Sequence, residues 1–331
     1  MPLKPNRHWG LMTLMTVAAV AMSAATWVDK DWTVKLGQAQ WPLVEALMNR
    51  SVFEGESLGA NDLVILFLLA VAFVYYRGYR TPGPTKWGAR RAQSGFILVS
   101  ALVSAVYVVH GLKWALGRAR PDLVIEKGIA FSHWFAYGPH FITDGIYYGS
   151  FPSGHTAQMF ILMTGAYVLF GDPLYSWKVR WLGGLWAVVA VIASLAMGLT
   201  RCISLSHWLT DIMGSVLMGW IIMHLLYYHI LRVPAQRQYM ADHGAMPKLP
   251  DAWEVFLSIY LFVGTLGAAM IAIGARSLTL HKSAWLLLLV PGGAGFLWLA
   301  WKQAAALLRK VWHNLEDAGS DPALRGSDAR P

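Results

Sequence analysis

Three short runs hold the residue types that handle phosphate. Lys113, Arg120 and Pro121 form Lys-x6-Arg-Pro, residues 152–155 read Pro-Ser-Gly-His, and Arg201, His207 and Asp211 form Arg-x5-His-x3-Asp. A phosphoryl group spreads negative charge over several oxygens, and its transfer is catalysed mainly by positioning and electrostatic stabilisation. Lys113, Arg120 and Arg201 offer cations, and arginine forks suit paired phosphate oxygens. The Pro-Ser-Gly-His run precedes an apolar segment, which predicts a helix N-terminus, where free N–H groups and the helix dipole favour an anion. Gly154 lets the backbone approach the oxygens, and Ser153 adds a hydroxyl donor. His207 and Asp211 are four apart, which predicts one shared helix face. A carboxylate there holds one ring nitrogen and leaves the other as a nucleophile. Attack on phosphorus gives a phosphohistidine; His155 then serves as general acid for the leaving oxygen and afterwards as base for water. The cations already supply positive charge, so no cofactor and no metal is expected.

Single residues read less sharply. Lys113 and Arg120 taken alone read equally as interfacial anchors that snorkel. His207 with Asp211 reads equally as a satisfied polar pair. The three motifs together favour a phosphate site. Arg118 has no place in them and is read as a headgroup or loop contact. His133 and His140 are open between substrate contacts and ordinary loop roles, His110 and His224 read as packed side chains, and nothing equips Cys202 as a nucleophile.

The elements that must position these residues are membrane spans. Of 331 residues, 56% are hydrophobic and only 14% charged, with mean hydropathy +0.44, against about a quarter charged in soluble domains. A span needs about 20 mainly apolar residues, and eight candidates are found at 9–28, 62–76, 94–112, 155–171, 181–200, 208–231, 255–275 and 284–301. The expected fold is an all-α, polytopic helical bundle. With the N-terminus inside, the segments 1–8, 77–93, 172–180, 232–254 and 302–331 are cytoplasmic and hold seventeen of the 27 Lys and Arg residues. That bias is the positive-inside pattern, so the net charge of +9 is an orientation signal rather than a nucleic-acid surface. Counting spans from the same end puts all three motifs on the outer face.

Three divisions follow: 1–61, a first span and an outer interfacial segment; 62–231, the core carrying the motifs; and 232–331, a cytoplasmic connection, two further spans and a disordered tail over the last fifteen residues. The first segment is read as an uncleaved anchor rather than a signal peptide, although Lys4 and Arg7 precede it. Leu36, Leu43 and Leu47 recur at helical spacing, which predicts a helix in the interface, weakened by Pro42; a packed cap and a lipid-access surface are equal readings. Thr81–Pro84 is a turn ending the second span, and the aromatic loop 113–154, with Phe131, Trp134 and Tyr147, is long enough to expect function.

At the three motifs the chain resembles the type 2 phosphatidic acid phosphatase superfamily, which also includes glucose-6-phosphatases and vanadium haloperoxidases. The resemblance covers roughly 60–231. It implies Lys113, Arg120, Ser153, Gly154 and Arg201 as phosphate binders, His155 as acid and base, His207 as nucleophile and Asp211 as its partner. The family's third motif commonly begins Ser-Arg; Thr200-Arg201 keeps the hydroxyl. The family core has six spans, so the pair after residue 254 is a departure with no assigned role. The implied partners are membrane lipids and a lipid phosphate substrate: phosphatidic acid, phosphatidylglycerol phosphate, undecaprenyl pyrophosphate or lipid A phosphate. A phosphotransferase using the same intermediate, and a silent lipid-binding or transport protein, are the alternatives.

Overall fold

A computed structural model describes residues 6–48, 50–52, 57–81, 85–145, 148–245 and 247–317. Lys4, residues 82–84 of the expected turn, Tyr147 and the expected tail beyond Asp317 lie outside the described residues. The described residues are mostly helical, with no strand among them. Within hydrocarbon every backbone N–H and C=O must be bonded inside its own segment, so apolar runs of this length fold as helices. Seven helical stretches are long and apolar enough to cross a membrane, running from Gly10–Leu36 to Ala284–Glu316. The protein is an integral, multi-pass helical bundle.

In chain order the helices are α1 (Asn6–Leu36), α2 (Pro42–Met48), α3 (Ala60–Arg80), α4 (Arg91–Ala101), α5 (Val108–Leu116), α6 (Pro121–Lys127), α7 (Gly154–Phe160) and α8 (Met163–Gly171). They continue with α9 (Trp177–Ile203), α10 (Leu209–His224), α11 (Val233–His243), α12 (Trp253–Thr279) and α13 (Leu289–Asp317). Helices α4 and α5 form one rod, widened to π geometry at Leu102–Tyr107, a bulge often found near functional sites.

Two expectations are corrected. The segment 155–171 is not one continuous helix but two, α7 and α8, joined through a tightened turn. Ile161, Leu162, Thr164 and Gly165 each donate to the carbonyl three residues back. The Leu162 carbonyl also accepts from Trp186 Nε1 of α9 at 2.8 Å. Gly165 permits that approach, because a Cβ there would lie 2.7 Å from Trp186 Nε1. The second correction concerns the outer segment. Leu36 ends α1, which runs beyond the expected 9–28, while Leu43 and Leu47 belong to α2 and are exposed. Pro42 starts α2, a position where its missing N–H costs nothing.

The core centres on Phe96, Phe160, Met223, Tyr227 and Trp253, all fully buried. The C-terminal pair packs tightly on itself: a Cβ on Gly267 would lie 2.7 Å from the Gly293 carbonyl oxygen. Small residues permit such close helix approach in lipid. Helix α12 packs in turn on α5, where Gly111 faces Thr265. That contact aligns the pair with the end of the first motif's helix.

Candidate functional site

The first motif sits where α5 ends. Lys113 is buried, and its carbonyl accepts from the Gly117 N–H at 3.0 Å. Gly117 is left-handed (φ 58), the usual helix-ending conformation. The remaining carbonyls of that last turn are covered by the aromatic loop, through Gly138 N to Leu116 O at 2.8 Å and His140 N to Gly117 O at 3.1 Å. Arg276, fully buried on α12, donates to the carbonyls of Ala115 (3.3 Å), His140 (2.6 Å) and Gly138. The C-terminal pair therefore fastens this loop to α5. Arg120 is half-buried and precedes Pro121, the first residue of α6.

The second motif starts α7. Ser153 is its N-cap, fully buried, and its Oγ accepts from Thr156 Oγ1 at 3.0 Å. Among the described residues its own hydroxyl hydrogen has no acceptor. The run is laced to α10: Ser153 N donates to Asp211 O (3.2 Å), and Ser215 Oγ donates to Ser153 O (2.8 Å). His155 is half-buried and within electrostatic reach of Arg201, His207, Lys113 and Arg120. The structure thus brings the three motifs to one end of the bundle.

The third motif departs from the expected geometry. Arg201 lies in the last turn of α9, and its carbonyl accepts from Ser206 N (2.9 Å) and His207 N (3.1 Å). These bonds hold a tight loop in which Leu205 takes φ 53, a conformation costly to a branched residue. His207 therefore precedes α10 instead of sharing its face with Asp211. Asp211 reaches back from the first turn: its Oδ2 accepts from Trp208 N at 2.8 Å and from His207 Nδ1 at 3.4 Å. A carboxylate at this position caps the helix and places the histidine together. Burial pushes the His207 imidazole down to about 4, opposed by the Asp211 hydrogen bond and assisted by the Lys113 charge. The ring is neutral at physiological pH. Since a carboxylate only accepts, Nδ1 carries the hydrogen and Nε2 keeps its lone pair.

Arg118 makes the loop contact read from the sequence, but it is a buried link to the third motif rather than a headgroup contact. It is buried and donates to Asp211 Oδ1 (2.7 Å), Asp29 Oδ2 (2.6 Å), Thr210 Oγ1 (2.8 Å) and Ser132 O (2.8 Å). Its guanidinium lies 5.4 Å from the ring centres of both Phe131 and Trp208. Asp29, on α1, also accepts from Thr210 N at 2.8 Å, and Thr33 Oγ1 accepts from Leu209 N at 3.1 Å. Neither Asp29 nor Thr33 had been singled out. The one available signal was an acidic residue, Asp29, at the end of an apolar run.

Other candidates flank this network, with Cys202 beside Thr33. His133 stacks on Phe135, and Cys202 is fully buried. His224 bonds Tyr167 within the bundle, as a packed side chain. Two apolar grooves lie beside α12, about 140 Å³ around His110 and Trp114 and about 520 Å³ between α5, α12 and α13. The convergent polar groups lie elsewhere, so chemistry and not cavity size locates the candidate site.

Residues 94–234 match the family model of the PAP2 superfamily. The match spans all three motifs and bears out the resemblance drawn from them. It leaves α1–α3 and α12–α13 outside. Comparison with curated proteins and with solved structures gives no match.

Proposed function

We propose that this chain, carrying a PAP2-superfamily domain over residues 94–234, hydrolyses a lipid phosphate or diphosphate through a phosphohistidine on His207. One observation carries the reading: Asp211 accepts from His207 Nδ1, so the unprotonated Nε2 is the nitrogen free to attack. Nε2 bonds to phosphorus as the bond from phosphorus to the lipid oxygen breaks, and His155, protonated once the bound phosphate offsets the cations around it, gives that oxygen its proton. Neutral His155 then takes a proton from water, whose oxygen attacks the phosphorus. The P–N bond breaks, phosphate leaves, and His207 returns to its starting state. Lys113, Arg120 and Arg201 stabilise the charge on the phosphoryl oxygens, with the Ser153 hydroxyl and the backbone at Gly154 completing the cradle.

In this reading residues 62–231 are the phosphatase core, 1–61 an anchor with an outer segment, and 232–331 an added pair of spans with a tail. The positive-inside bias of the basic segments supports cytoplasmic termini and a site on the outer face, which in a bacterium is the periplasmic face of the inner membrane. Ser204 is exposed beside the site and Cys202 is buried. A Ser204→Cys variant in intact cells should therefore react with a membrane-impermeant thiol reagent. Reaction only after the cells are opened would reverse the orientation.

The substrate class is tested with purified protein in detergent, offered phosphatidic acid, phosphatidylglycerol phosphate, undecaprenyl pyrophosphate and lipid A, with EDTA and with a lipid alcohol acceptor present. Hydrolysis predicts free phosphate undiminished by EDTA. Phosphate appearing on the acceptor instead would make the protein a phosphotransferase, and no turnover of any lipid would overturn the enzymatic reading.

A further inference from the structure

Helix α1 lies outside the PAP2-matched segment, yet it supplies a buried carboxylate to the site. Asp29, Arg118 and Asp211 form a linear ionic chain with side chains at most 1% exposed, joined at 2.6 Å and 2.7 Å. From Asp211 the chain continues to His207 Nδ1 at 3.4 Å. Removing three charges from water is expensive, and buried ion networks are weak contributors to stability compared with apolar packing. The arrangement of charge gives the network a further use. Arg118 alone would neutralise Asp211 and draw its negative charge away from His207. With Asp29 on the far side, the guanidinium is shared between two carboxylates, and the triad keeps one net negative charge beside the histidine.

We propose that Asp29 is a positioning residue for the reaction, acting through Arg118 on the Asp211–His207 pair. This rests on the phosphohistidine reading above. His207 bears positive charge once Nε2 bonds phosphorus while Nδ1 keeps its hydrogen, and the surplus negative charge of the triad offsets it. Asp29 also fixes the geometry: its Oδ1 accepts from Thr210 N and its Oδ2 from Thr210 Oγ1, both in the first turn of α10, which carries Asp211. Helix α1 is thereby fastened to the end of the helix that orients the nucleophile.

The test compares wild type, Asp29→Asn, Arg118→Met and the double variant in detergent, each with its Tm recorded. The probes are phosphorus-labelled dioctanoyl phosphatidic acid and farnesyl diphosphate. Asp29→Asn preserves shape and should lower kcat about tenfold to a hundredfold, the scale of a slightly misplaced catalytic group, with KM nearly unchanged. The double variant should lose less than the product of the two single losses, because the two residues act as one unit. Wild-type kcat in a folded Asp29→Asn protein would overturn the proposal, as would a loss confined to KM or strictly multiplicative losses. Should Asp29→Asn not fold, Asp29→Glu keeps the charge and must retain more kcat than Arg118→Met; the reverse order overturns it. A wild type that turns over neither these probes nor any lipid of the panel above refutes the enzymatic reading itself, which separates the two failures.

Discussion

At the residue scale, the account turns on a neutral histidine held by a buried carboxylate. The imidazole of His207 is kept neutral down to about pH 4, with burial the largest cause. Its folded value lies below the unfolded one, so between roughly 6.5 and about 4 the unfolded chain binds the extra proton. Stability from this group is present above the upper value and is lost as pH falls through that window. The nucleophile itself remains unprotonated throughout it. We therefore expect the acid limb of kcat/KM due to His207 to fall near pH 4, measured over times short enough that the enzyme stays folded. A limb near 6.5 would mean an exposed, freely titrating histidine. The motif residues were legible because each motif lies within a short run. Arg118 was not, because its partner Asp29 is 89 residues away and spacing carries no information about burial.

At the element scale, the helices outside the family-matched segment hold the motif ends in place. Arg276 of α12 donates to the carbonyls of Ala115, Gly138 and His140, with Tyr137 and Phe141 packed about its guanidinium. Replacing it by Met leaves those acceptors buried without their donor. Hydrogen bonds to a charged group are each worth about 1.5–3 kcal/mol, so Arg276→Met should lower Tm in detergent by several degrees and reduce activity by loosening the end of α5 that carries Lys113. An unchanged Tm would show that the C-terminal pair does not support the site. Hydropathy revealed this pair as spans, but not that one of its arginines reaches the site. The break between α7 and α8 was also hidden, since the tightened turn and the Trp186 contact depend on a facing helix.

At the scale of the whole molecule, the bundle joins residues that are dispersed along the chain. Lys113, His155 and Arg201 come from three different crossings and meet at one end. Span counting anticipated that meeting, because alternate crossings return the motif-bearing ends to the same side. It did not anticipate that α1 would extend to Leu36 and add Asp29 and Thr33 to the same end. The central claim is that phosphate passes through His207. The most direct measurement is rapid alkaline quenching of the enzyme with phosphorus-labelled lipid, followed by peptide mapping by mass spectrometry. The account predicts label on His207 in wild type and none in His207→Ala, which should also release no phosphate above background. Phosphate release without label on His207, or undiminished release by His207→Ala, would contradict it.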